Sequence, residues 1–126
     1  MNDKGVAMPR IFDDDYKSKR DVKDCGWKKQ ERRVAKKVGG KVQPGSGSKD
    51  FAKGDIKEES FLVECKFTEK QSIRVELKWL KKISREAMAE GKIPALSVEI
   101  QHDDHLTAQD WTMIPTEALK ELLGKP

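Results

Sequence analysis

Cysteine is scarce in this chain: only Cys25 and Cys65 occur among 126 residues. They form neither a Cys-x-x-Cys pair nor a zinc-ligand pattern, so a zinc ribbon has no ligands here. Cys65 falls on the apolar face of an alternating stretch and reads as a buried, reduced thiol. The sequence also has no N-terminal signal peptide and no apolar run long enough to cross a bilayer. The expectation is an intracellular, cytoplasmic protein with no membrane partner. Apolar residues are few as well. They make up 36% of the chain, against 38% charged, where an average globular domain has about 25% charged. A chain of this length can bury one modest core if some of it stays outside or wraps a polyanion. No internal repeat is present.

The charge is uneven. Residues 1–42 carry 13 Lys or Arg against 7 Asp or Glu, whereas residues 43–126 carry 13 against 15. A basic front on a near-neutral body suits phosphate contact, and it equally suits a plain solvated lysine-rich surface. Residues 1–22 place Asp13–Asp15 beside a basic cluster without helical or strand periodicity. They read as a mobile tail, leaving 23–126 as a single domain.

Within that domain, Trp27, Gln30 or Glu31, Val34 and Val38 recur at helical steps, and Gly39-Gly40 ends the pattern. The opposite face carries Lys28, Lys29, Arg32, Arg33, Lys36 and Lys37, a stripe suited to a phosphate backbone. A short strand at "KVQP" and a Gly/Ser-rich loop follow. Then "DIKEES" and "FLVECKFT" read as antiparallel strands turning near Glu58–Ser60. Residues 73–91 suggest a helix with Leu77, Leu80, Ile83, Ala87 and Met88 inward, closed by Gly91. "IPALSVEI" is an apolar inner strand. "WTMIPTEALKELL" gives a short strand and a last helix with Thr116 as N-cap, and Trp111 is expected to anchor that helix. The fold class is α/β: a mixed central sheet flanked by helices.

The chemistry lies in "FLVECKF". Alternation sends Phe61, Val63, Cys65 and Phe67 to one face, and Leu62, Glu64 and Lys66 to the other. Asp55 opens the preceding strand, where a twist or bulge can bring its carboxylate towards Glu64. Two carboxylates beside a backbone carbonyl form the hard-oxygen pocket that Mg²⁺ prefers. An adjacent ammonium can orient water and offset charge on a scissile phosphate. Glu31 on the first helix can face the same site. Ser46-Gly47-Ser48 can approach a phosphate through hydroxyls and glycine backbone. Each feature taken alone has a plainer account: a solvent-facing strand, a solvated helix glutamate and a flexible linker. "HDDH", His102–His105, suits an exposed turn better than a closed zinc site.

Taken together, Glu31, Gly39-Gly40, Ser46-Gly47-Ser48, Asp55 and Glu64-Cys65-Lys66 resemble the PD-(D/E)XK nuclease superfamily. More narrowly, they resemble archaeal-type Holliday-junction resolvases and their bacteriophage relatives, over about residues 28–100. Gly54 stands where the superfamily motif has proline. The resemblance implies a restriction-endonuclease-like αβββαβ core and a homodimeric endonuclease dependent on Mg²⁺, with Mn²⁺ as a substitute, that nicks opposing strands of a four-way DNA junction. It implies that Asp55, Glu64 and the Cys65 carbonyl bind metal and that Lys66 positions water. Glu31 would support the site, and Ser48 or Ser46 would touch the scissile phosphate. A related nuclease acting on flaps or duplex DNA would use the same residues. A non-catalytic DNA-binding module would be expected to have lost one of Asp55, Glu64 or Lys66.

Overall fold

The computed structural model describes residues 26–44, 54–101 and 108–126. The chain order is α1 (Gly26–Val38), β1 (Lys41–Val42), β2 (Ile56–Lys57), β3 (Phe61–Thr68), α2 (Leu77–Ala89), β4 (Ile93–Ile100), β5 (Asp110–Met113) and α3 (Thr116–Leu122). The strands form one sheet in the order β1-β2-β3-β4-β5. Pairing is antiparallel except between β3 and β4, which run parallel with α2 as the crossover. This is the mixed α/β sheet expected from the periodicities, with the elements in the expected order.

Local chemistry explains the tight β2–β3 turn, which has no Asn-Gly or Asp-Gly pair. The Glu58 carboxylate accepts from the amides of Ser60 (2.7 Å) and Phe61 (3.0 Å). Lys92 Nζ donates to the carbonyls of Glu58 and Glu59, each at 2.7 Å. Charged side chains thus satisfy the turn's backbone groups. Gly39, at φ +73°, ends α1, and the following amide of Gly40 returns to the Ala35 carbonyl at 2.9 Å.

Both faces of β3 are covered. On one face, Val34 and Ala35 of α1 pack with Ile56, Val63, Cys65 and Ala95. On the other, Leu62 packs with Ile83 and Ala87 of α2. Apolar burial in these two clusters, worth roughly 25 cal/mol per Å² removed from water, favours the packing of both helices on β3.

Several expectations about inward-facing residues need correction. Trp27 and Val38 are exposed, and α1 instead buries Gln30, Glu31, Val34 and Ala35. Helix α2 starts at Leu77 rather than near residue 73. Leu77 and Met88 are exposed, while the charged Glu86 is buried. The N-cap of α3 is Pro115, not Thr116, and no side chain caps it; the Pro115 carbonyl accepts from Ala118 at 2.9 Å. Trp111 is exposed and its indole donates to the Ala108 carbonyl at 3.0 Å, so it does not anchor α3.

Candidate active site

Alternation along β3 puts Glu64 and Lys66 on the face beneath α2. Lys66 Nζ lies 3.5 Å from Glu64 Oε2. The ammonium also sits 4.4 Å from the centre of the Trp79 ring, a cation–π contact that restrains a flexible side chain. This face is not a solvent face. The Glu64 side chain is only 12% exposed, because α2 crosses over it.

Asp55 is placed by the sheet edge. Its amide donates to the Val63 carbonyl and its carbonyl accepts from Gln43, both at 2.8 Å. Regular pairing stops there, and the side chain takes over: Asp55 Oδ2 accepts from the Cys65 amide at 2.7 Å. In a longer β2 a backbone carbonyl would have filled that position. A carboxylate is therefore locked against the middle residue of Glu64-Cys65-Lys66.

Gly54 makes this placement possible. Its φ is +67°, and a Cβ there would come within 2.7 Å of the Leu62 side chain. Its amide donates to Glu86 Oε1 at 3.0 Å. Proline, the residue of the superfamily motif, has a fixed negative φ and no N–H, so it is barred here on both counts.

Glu31 approaches from α1 and is 9% exposed. Burial, then the negative charges of Asp55 and Glu64, push its carboxyl up to about 7, with Lys28 opposing. Glu64 is raised likewise, chiefly by burial and then by Asp55, against Lys82 and Lys66. Burial, reinforced by the same acids, raises the Cys65 thiol and keeps it neutral. Three carboxylates therefore share one field, and for Glu31 and Glu64 burial together with that field outweighs the neighbouring lysines. Among the described residues, three buried side-chain atoms lack a hydrogen-bond partner: Gln30 Oε1, Ser97 Oγ and Glu64 Oε1. Only the last belongs to a group that ionises.

Lys82, Glu86 and Gln30 also join the site, the last expected from the sequence only as an alternative to Glu31 on the inward stripe of α1. Lys82 Nζ stands 3.6 Å from Glu64 Oε1 and 3.2 Å from Glu86 Oε2. Its charge is held, despite burial, by these carboxylates. The one sequence signal was a Lys–Glu pair four residues apart, which ordinarily marks a helix surface. Gln30, fully buried, donates Nε2 to the carbonyls of Lys66 (2.9 Å) and Ser97 (3.3 Å). It pins α1 over β3 and β4, so that its neighbour Glu31 meets the acids.

The basic stripe on α1 also needs one correction. Lys28, Arg32, Lys36 and Lys37 are exposed and Lys29 is half-buried. Arg33 is turned inward: it donates to both oxygens of Asp110 at 2.7 Å and to Glu99 at 2.9 Å. It joins α1 to two strands instead of facing DNA. Ser46 and Ser48 lie outside the described residues, as do 1–22, Cys25 and His102–His105.

Among the described residues, no group of three or more His, Cys, Asp or Glu side chains is arranged to hold a metal ion by itself. The donors that do converge are carboxylate oxygens, hard donors of the kind Mg²⁺ takes with water filling the remaining positions. The Glu64 oxygen that lacks a hydrogen bond and the raised proton affinity of Glu31 and Glu64 are compatible with a cation beside these acids. No helix among the described residues is long and apolar enough to cross a membrane. No family model matches this chain, and no curated protein or solved structure is significantly similar to it.

Proposed function

We propose that this chain is a Mg²⁺-dependent, structure-selective endodeoxyribonuclease of the PD-(D/E)XK type that resolves four-way junctions by paired nicks. The observation that carries the reading is the convergence of Asp55 and Glu64 with the Lys66 ammonium 3.5 Å from Glu64. A structural ion pair would not need a second acid that raises the first one's affinity for protons.

Asp55, Glu64 and the Cys65 carbonyl would hold the cation, whose charge polarises the phosphate and acidifies water at the site. The protein's own part is arrangement. The Cys65 amide fixes Asp55, and Trp79 and Glu64 restrain the Lys66 ammonium. That ammonium can hold the attacking water and offset charge that grows on the phosphate. Glu31, whose carboxyl is pushed up to about 7, would accept the water's proton from its ionised form. Water would add to phosphorus as its proton passes to Glu31, a P–O ester bond would break, and the leaving oxygen would take a proton from solvent, giving a phosphate and a hydroxyl terminus. The exposed cations of α1 would supply backbone contacts. Two copies acting together would account for paired cuts.

The test is nicking of an end-labelled four-way junction with and without Mg²⁺, beside a flap and a linear duplex. Symmetric, Mg²⁺-dependent cuts on the junction that Asp55→Asn removes are the expected result. Preferential cutting of the flap or duplex would redirect the assignment to a related nuclease. No Mg²⁺-dependent cutting of any substrate would leave a DNA-binding module.

A further inference from the structure

We infer that Glu86, on α2, is the positioning residue of this site, setting both the Asp55 carboxylate and the Lys82 ammonium for cation binding. The inference rests on the metal-dependent reading above. Glu86 is 8% exposed and sits between the buried positions Ile83 and Ala87 on the face of α2 that packs against Leu62. A leucine or alanine would suit such a position for packing alone. A buried carboxylate is costly unless its oxygens are engaged, and both are. Oε1 accepts the Gly54 amide at 3.0 Å, and Oε2 lies 3.2 Å from Lys82 Nζ.

Each partner leads to one candidate ligand. Gly54 is bonded to Asp55 and adopts a backbone conformation that a side chain would not permit. Its anchored N–H fixes where the chain enters Asp55. Lys82 leads to Glu64, standing 3.6 Å from the oxygen that has no hydrogen bond. If Glu86 released Lys82, the ammonium would be free to close on Glu64 and compete with a cation. One carboxylate thus governs both halves of the pocket while touching neither.

The test uses the full chain and two readouts: Mn²⁺ binding by titration calorimetry, and hydrogen exchange of the Gly54 amide by NMR without metal. Wild type should bind Mn²⁺ and Asp55→Asn should not. Glu86→Ala should lose Gly54 protection and bind Mn²⁺ about 10- to 100-fold more weakly, the usual effect of removing a group that orients a ligand. Glu86→Gln keeps an acceptor but loses the charge. It should fold, retain Gly54 protection and still bind Mn²⁺ about tenfold more weakly, which carries the test if the alanine variant does not fold. Wild-type Mn²⁺ affinity in the Glu86 variants, with Asp55→Asn inert, overturns this inference alone. Gly54 exchange unchanged in Glu86→Ala also overturns it. No Mn²⁺ binding by wild type, or undiminished binding by Asp55→Asn, overturns the nuclease reading and this inference with it.

Discussion

Two clusters of buried charge lie on this small sheet, and they are built on opposite principles. Around Arg33, the guanidinium takes both oxygens of Asp110 and one of Glu99, and Gln109 takes the other at 2.6 Å. Glu99 and Asp110 are themselves ladder partners, so their repulsion is offset across a single register position. Burial works against the arginine's charge, but its two partners more than compensate and hold it ionised. Around Glu64 the opposite holds. Three acids crowd together, Glu31 and Glu64 bind protons more tightly than usual, and a carboxylate oxygen has no hydrogen-bond partner. In the first cluster the partners inside the chain more than offset burial. In the second the lysines do not, and Glu31 and Glu64 keep a raised affinity for protons, the kind of perturbation that gathers at functional sites.

Substitutions should separate the two clusters. The largest effect is expected from Asp55→Asn or Glu64→Gln, which should reduce junction nicking by about a thousandfold or more, in line with loss of central electrostatic stabilisation. Junction affinity in gel-shift assays should stay near wild type. Glu64→Gln should leave stability to urea unchanged or improved, because a poorly matched buried charge is gone. Arg33→Ala should do the reverse. It takes the shared guanidinium from Glu99 and Asp110, which among the described residues keep only Gln109 and the exposed Lys37, and should cost about 3 kcal/mol of unfolding free energy.

A smaller effect separates the clusters by pH. Glu31 titrates near pH 7 in the folded chain and near its ordinary 4.5 when unfolded. Between those values the folded state holds the extra proton, so stability falls as pH rises, by up to about 3 kcal/mol. Thermal unfolding from pH 4.5 to 8 should show this decline. Glu31→Gln should flatten it, and millimolar Mg²⁺ should flatten it in the wild type. The smallest effect is expected on the exposed stripe. Lys36→Ala should leave stability unchanged and lower the salt dependence of duplex binding by about 0.9 in log–log slope.

The fold was legible because its periodicities are local. The alternation of Phe61, Val63, Cys65 and Phe67 marks a strand whatever covers it, and Gly39 and Gly91 end helices through their own backbone freedom. The start of α2 was not legible: Glu76 is extended and makes no side-chain cap, so nothing in the sequence distinguishes residue 73 from residue 77. For the candidate site, strand spacing put Glu64 and Lys66 on one face, and Asp55 could be brought near them only by supposing a twist or bulge. Lys82 and Glu86 could not, since a Lys–Glu pair at helical spacing looks solvated until the crossover lays it on β3. Arg33 was hidden for the same reason. Its sequence neighbours are exposed bases, and its partners lie 66 and 77 residues away on β4 and β5.

The ring of Trp79 against Lys66 also makes the chain its own optical reporter. The other indoles, Trp27 and Trp111, are exposed and should emit at long wavelength, whereas Trp79 is half-buried beside the ammonium. With Trp27 and Trp111 changed to phenylalanine, the remaining fluorescence would come from the pocket's edge. Arrival of ions or nucleic acid could then be followed in real time without attaching a dye.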